Sequence, residues 1–205
     1  MLRPPADGHR GALVWRWTGD LLALSSAAVG GGLSRPSWAL NIGVPLDYDR
    51  TDLAAHAAEV AEAYGLAGGG VALFTAADVT RARRRTCAGV AVDATVGVTK
   101  PTWASDPSGG WEPWTAGTIN LVVQVPVGLG PGAAVNAVIT ATEAKAQALR
   151  ELGVPGTGTA SDAIVVVWPA AAPAEAFAGP RSLWGARIAQ AAHAAVRSGI
   201  EPPGA

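Results

Sequence analysis

One change of hydrophobic period constrains this chain more than any other feature. Across residues 117–127 the apolar positions recur at every second residue. Ile119, Leu121, Val123 and Val125 alternate with Thr118, Asn120, Val122 and Gln124. Period two belongs to a β-strand, whose side chains point to opposite faces in turn. Pro126 ends that strand or places it at a sheet edge. Across residues 132–152 the spacing turns helical, with Val135, Val138, Thr142, Ala146, Leu149 and Leu152 on the inner stripe. Gly153 terminates the helix and Pro155 follows. A strand running into a long helix excludes an all-β or an all-α chain.

The rest of the chain fills in around that unit. Residues 13–17 and 21–26 read as strands joined through Thr18-Gly19-Asp20, as in a hairpin. The Gly30-Gly31-Gly32 run marks a loop or a close backbone approach. Residues 38–44 form a strand closed by Pro45. Asp49 or Thr51 caps a helix reaching about Tyr64, with Leu53, Ala57, Val60 and Tyr64 inward. Residues 71–74 form a short strand, 78–85 a short helix with a solvated basic end, and 87–98 one central strand. Residues 101–116 are a long loop holding Trp103, Trp111 and Trp114. Residues 163–168 form a buried strand, and 182–198 the last helix. Strands cluster early and helices do not alternate regularly with them. The expected fold is therefore α+β, with a mixed or antiparallel β-sheet packed with helices. Residues 1–205 are expected to form a single domain, with 1–11 and 200–205 as flexible tails.

Composition narrows the function. Of the 205 residues 49% are hydrophobic and 15% charged, so the chain folds rather than staying disordered. A net charge of −1 creates no field to attract nucleic acid or an anionic membrane, and neither is expected as a partner. Cys87 is the one cysteine, so no intramolecular disulfide forms. The first eleven residues lack the apolar stretch of a signal peptide, and no apolar run approaches the roughly 20 residues of a membrane span. The expected location is the cytoplasm. His9, His56 and His193 have no metal-ligand spacing, and no metal site is expected. HExxH, CxxC, Walker and GxSxG patterns are absent. The Gly-rich stretch 156–161 follows a helix and opens a strand, the reverse of a dinucleotide loop.

Four stretches remain. They are Leu24-Ser25-Ser26-Ala27 before the glycine run, Val92-Asp93-Ala94-Thr95-Val96-Gly97, Gly117-Thr118-Ile119-Asn120 continuing to Thr142-Glu143-Ala144-Lys145, and Gly156-Thr157-Gly158-Thr159-Ala160-Ser161-Asp162. In that order and spacing, over about residues 21–196, the chain resembles the adenosylcobinamide amidohydrolase family. The resemblance implies a small-molecule corrinoid substrate and hydrolysis of the amide joining aminopropanol to the corrin side chain. The products would be adenosylcobyric acid and aminopropanol, in salvage of cobalamin precursors, with no cofactor. Relative to the family pattern, Ala160 and Ser161 displace the acidic residue after the Gly-Thr repeat to Asp162. That keeps a non-catalytic corrinoid-binding module open as an alternative, beside a hydrolase of another amide. A homo-oligomer is equally open.

Amide hydrolysis needs an activated water or nucleophile, stabilisation of the oxyanion, and a proton for the leaving amine. Glu143 or Asp162 could act as base, Lys145 could donate or stabilise charge, and Asp93 is a carboxylate inside an apolar strand. Thr118, Asn120, Thr157, Thr159 and the backbone of the Gly-rich loop could serve the oxyanion. Ser25 and Ser26 could contact substrate, and the loop holding Trp111 and Trp114 could cover a flat ligand. Each has a plainer reading. Glu143 sits on a stripe with Asn136, Thr140, Gln147 and Arg150, as on a solvated face. Lys145 could snorkel to water, Asp162 could cap a turn, Asp93 could be a hydrogen-bonded core carboxylate, and the serines could simply end a strand.

Overall fold

The computed structural model describes residues 10–107, 117–170 and 173–200. In chain order its elements are β1 (Ala12–Arg16), β2 (Leu21–Ser25), β3 (Gly32–Ser34), β4 (Trp38–Gly43), α1 (Leu53–Ala63), β5 (Gly70–Thr75), β6 (Arg83–Cys87) and β7 (Val90–Val96). They continue with β8 (Ile119–Gln124), β9 (Gly128–Leu129), α2 (Pro131–Glu151), β10 (Ala163–Pro169), β11 (Ala174–Glu175) and α3 (Leu183–Ile200). The fold is α+β, with two mixed sheets rather than one. One has the order β1-β4-β5, the other β3-β2-β10-β8-β7-β6, and β9 pairs with β11 in a small ribbon. Among the described residues no helix is long and apolar enough to cross a membrane.

Three apolar clusters define four layers. Leu40, Ile42 and Ala72 of the smaller sheet pack on Ala57 and Val60 of α1. Ala39, Val71 and Leu73 meet Val122, Val165 and Val167 between the sheets. Leu121, Val123 and Val166 pack under α2 and α3 on the far side. The order is helix, sheet, sheet, helices. Each sheet contains one parallel pair, β4 with β5 and β8 with β10. Parallel neighbours cannot be joined by a tight turn, so each pair is bridged by a helix, α1 in one case and α2 in the other. The alternation from Thr118 to Val125 thus has two buried faces. Its odd positions meet the helices and its even positions the other sheet.

Four sequence expectations are corrected. Residues 13–17 and 21–26 are strands, but not a hairpin: β1 pairs with β4 and β2 with β10 and β3. The turn at Gly19 carries the chain from one sheet to the next. The stretch read as one central strand from Cys87 is a hairpin, because Ala88 and Gly89 both take positive φ, 42° and 96°. That is the conformation of a two-residue turn matched to strand twist. Residues 83–85 belong to edge strand β6, not to a helix, and only Val79–Arg81 forms a 3₁₀ turn. Three successive arginines on an edge discourage pairing with another chain.

The fourth correction concerns α2. Its buried face is Ala133, Ala134, Ala137, Thr140, Ala141, Ala144, Lys145, Ala148 and Leu149. Val135 is 51% exposed and Ile139 46% exposed, and Thr142 is exposed too. α3 answers with Gly185, Ala191, Ala192 and Ala195. Small side chains on both helices let the backbones approach, so size outranks hydrophobicity here. The glycine run behaves as expected: at Gly30, φ +70°, a Cβ would collide with the carbonyl of Gly70.

Candidate functional site

A cavity of about 500 Å³ opens between the sheets. Strands β4 and β5 end there, β2 ends there, and β8 and β10 begin there. Parallel pairing sets Asn120 beside Ala163, so Thr118 and Asn120 come next to Ser161 and Asp162. Ser26 joins them by a reciprocal pair of bonds: its N–H donates to Ile164 O at 3.0 Å and its Oγ accepts from Ile164 N at 3.1 Å. Ser26, Thr118, Asn120, Ser161 and Asp162 all line the cavity.

Asp162 lies beneath the Gly-rich loop as a clamp. Its Oδ1 accepts from Ile119 N at 2.8 Å and Thr159 Oγ1 at 2.5 Å. Its Oδ2 accepts from Thr159 N at 3.1 Å and from Lys145 Nζ. The single Thr159 hydroxyl proton is shared between Asp162 Oδ1 and Gly117 O, 2.6 Å from Oγ1. Lys145 reaches in from α2, and the two side chains are only 8% and 10% exposed. A carboxylate offers about four acceptor sites, and here all are occupied. Asp162 is therefore suited to positioning the loop, and poorly placed to take a proton from water. A Cβ on Gly158 would collide with both Asp162 Oδ2 and Lys145 Nζ, so a larger residue there would have to displace the ion pair.

A ladder of amides crosses between the sheets at the cavity. Asn120 Nδ2 donates to Asn41 Oδ1 at 2.9 Å and to Phe74 O at 2.9 Å. Asn41 Nδ2 donates to Thr95 Oγ1 at 2.8 Å. A main-chain carbonyl can only accept, which fixes the orientation of the Asn120 amide. Among the described residues, its Oδ1 is then buried with no hydrogen-bond partner. An unmet buried acceptor costs about 1–3 kcal/mol, and it is tolerable where a ligand or water will supply the donor. Nearby, Thr118 Oγ1 and Ser161 Oγ lie 2.8 Å apart.

The opposite wall comes from the start of α1. Tyr48 lines the cavity, and its hydroxyl lies 2.7 Å from His56 Nδ1. The Tyr48 ring stacks on Phe74, with centroids 6.1 Å apart and planes at 23°. His56 is 4% exposed. Burial pushes the Tyr48 phenol up from its usual range, against a smaller opposing effect of the Arg50 charge. Arg50 also lines the cavity, with its guanidinium forked onto Asp52 and Glu59 at 2.7–3.0 Å. That fork holds Asp52 down at about 2 and Glu59 below the usual carboxylate range. Sequence reading passed over Tyr48 and weighed His56 only as a metal ligand. The available signal was position: His56 stands on the first turn of α1, where a side chain can reach back to the loop before it.

The other sequence candidates lie elsewhere. Ser25 is buried and its Oγ accepts from Ala27 N at 2.9 Å, shaping the turn after β2. Thr157 Oγ1 accepts from Ala104 N at 3.2 Å, tying down the neighbouring loop. Asp93 sits between the sheets, accepting from Trp15 Nε1 at 2.8 Å, Arg84 at 2.9 Å and Gln124 Nε2 at 3.2 Å. It does not line the cavity. Glu143 is exposed on α2. Trp111 and Trp114 fall outside the described residues. Among the described residues no three His, Cys, Asp or Glu side chains gather as they would around a metal ion.

Two comparisons bear on this arrangement. A family model described as adenosylcobinamide amidohydrolase matches residues 5–203. The chain is also 33% identical over 179 residues to a protein of Halobacterium salinarum named adenosylcobinamide amidohydrolase, covering 83% of this chain and 77% of that protein.

Proposed function

Since the chain belongs to the adenosylcobinamide amidohydrolase family, we propose that it cleaves the amide joining aminopropanol to the corrin side chain, as a step in corrinoid salvage. The products are adenosylcobyric acid and aminopropanol. The observation that carries this reading is convergence. Segments far apart in sequence deliver Ser26, Thr118, Asn120, Ser161 and Asp162 to one cavity. Its volume of about 500 Å³ lies within the roughly 300–1,000 Å³ of small-molecule sites. In this reading it takes the amide arm, and the bulky macrocycle rests at its mouth.

Roles follow from hydrogen-bonding capacity. Asn120 Oδ1, the unmet acceptor, takes the N–H of the scissile amide. The paired hydroxyls of Thr118 and Ser161 can turn a proton toward the carbonyl oxygen, where negative charge develops. Asp162 and Lys145 hold the starts of β8 and β10 in place beneath them. The test is incubation of the purified protein with adenosylcobinamide, with and without chelator, followed by mass spectrometry for both products. Turnover that Asn120→Asp and Thr118→Val diminish supports the reading. Corrinoid binding without release of aminopropanol would move it to a non-catalytic binding module.

A further inference from the structure

We infer that Tyr48 is the residue that carries the proton in this hydrolysis, and that His56 positions its hydroxyl and holds the proton between steps. The inference rests on the amidohydrolase reading and extends it. Among the described residues lining the cavity, the ionisable side chains are Tyr48, Asp49, Arg50 and Asp162. Asp162 has its acceptor sites filled by four donors. Arg50 does not give up a proton, and its guanidinium is engaged by Asp52 and Glu59. Asp49 is solvent-exposed. Tyr48 combines a place in the cavity wall with a partner that can accept its proton, 2.7 Å away and shielded from water. Phe74 packs against both rings, fixing the phenol and the imidazole relative to each other.

The proton balance closes. With the imidazole neutral and protonated at Nε2, Nδ1 accepts from the phenol. As a water oxygen bonds to the amide carbon, Tyr48 passes its proton to His56 and takes one from that water. The carbonyl π pair moves onto oxygen. When the tetrahedral intermediate collapses, that pair returns and the C–N bond breaks with its electrons on nitrogen. Nitrogen takes the Tyr48 proton, and His56 returns its own. One O–H and one C–N bond are broken, one C–O and one N–H bond are formed, and both side chains end as they began. Burial keeps the phenol protonated around neutral pH, as a donor requires.

Two substrates test this: adenosylcobinamide, whose amine must be protonated to leave, and an aryl ester of adenosylcobyric acid, whose phenolate leaves unprotonated. Tyr48→Phe should lower kcat on the amide by about 10²–10⁴-fold and on the ester by a clearly smaller factor, because the ester loses only the activation of the attacking water and not the protonation of its leaving group. KM should stay within about threefold, since the hydroxyl acts on the transition state. His56→Gln should lower amide kcat in the same selective way. Unchanged amide kcat in Tyr48→Phe, or equal losses on both substrates with a raised KM, would overturn the inference. If Tyr48→Phe does not fold, His56→Gln decides by the same criteria, because it leaves the phenol in place. A wild-type protein that binds the corrinoid but turns over neither substrate would instead sink the hydrolase reading itself.

Discussion

Replacing Asp162 by Asn separates a clamp from a base. The carboxylate accepts two main-chain N–H groups, one hydroxyl and one ammonium, in a site where it is 10% exposed and its partner Lys145 8%. An Asn keeps the shape, but it sets an NH2 group either against the Ile119 N–H or against the Thr159 N–H and the Lys145 ammonium, a donor facing a donor. Breaking a buried pair by removing one charge costs about 3–5 kcal/mol. For a chain of this size each kcal/mol moves the melting temperature by roughly 2–4 °C, so the midpoint should fall by about 10 °C. Lys145→Met leaves three neutral donors on the carboxylate and should cost less. The double variant, having lost both charges, should be more stable than the sum of the single losses by about 2 kcal/mol. Thermal and urea unfolding of the four proteins measure the cycle. If Asp162→Asn melts within about 2 °C of the wild type while turnover drops by the 10²–10⁴-fold expected for a lost general base, the clamp assignment is refuted.

Three further outcomes are expected. Glu143→Gln alters an exposed side chain on α2, so turnover should be unchanged and stability should stay within about 0.5 kcal/mol in urea titration. Asp93→Asn weakens the contacts with Trp15, Arg84 and Gln124 and should cost about 1–3 kcal/mol of stability, while kcat on the folded protein is preserved. Glu151, at the end of α2, is held at about 2 by Gln147, His193 and Arg197. Its pKa is lower folded than unfolded, so its contribution is present above the ordinary carboxylate value and lost as pH falls from about 4.5 toward 2. Melting curves across that window should fall less steeply for Glu151→Gln than for the wild type.

Much of the architecture was legible because it follows from period. The Thr118–Val125 alternation located β8, and the segment after it located α2. What period could not convey was partnership. β1 and β2 each look like half of a hairpin, but which sheet a strand joins depends on tertiary pairing. The turn after Cys87 was hidden because Ala88, at φ 42°, lacks the Asn or Gly that usually marks such a conformation. In α2 the expected stripe began with Val135 and Val138, but the core took Leu149 and the alanines, since hydropathy does not report how closely two helices approach. The site was half visible. Asp162, Lys145, Thr118, Asn120 and Ser26 stood in the four stretches that drew notice. Tyr48 did not, and His56 was weighed only as a metal ligand, because a Tyr–His contact eight residues apart has no period.

The amide ladder also has a mechanical consequence. Asn41, Asn120 and Thr95 tie the two sheets at the cavity end of β8, while Trp15 and Trp17 bond to Asp93 and Gln124 toward its other end. Between those ties Ala39, Val71 and Leu73 pack against Val122, Val165 and Val167. Sliding one sheet over the other by one residue, about 3.4 Å, would part both sets of bonds. The sandwich therefore resembles a beam pinned at both ends, able to flex in the middle but not to shear or splay. The gap between its sheets is a fixed gauge. A ligand arm must fit the width already there, entering from the side rather than by prising the layers apart.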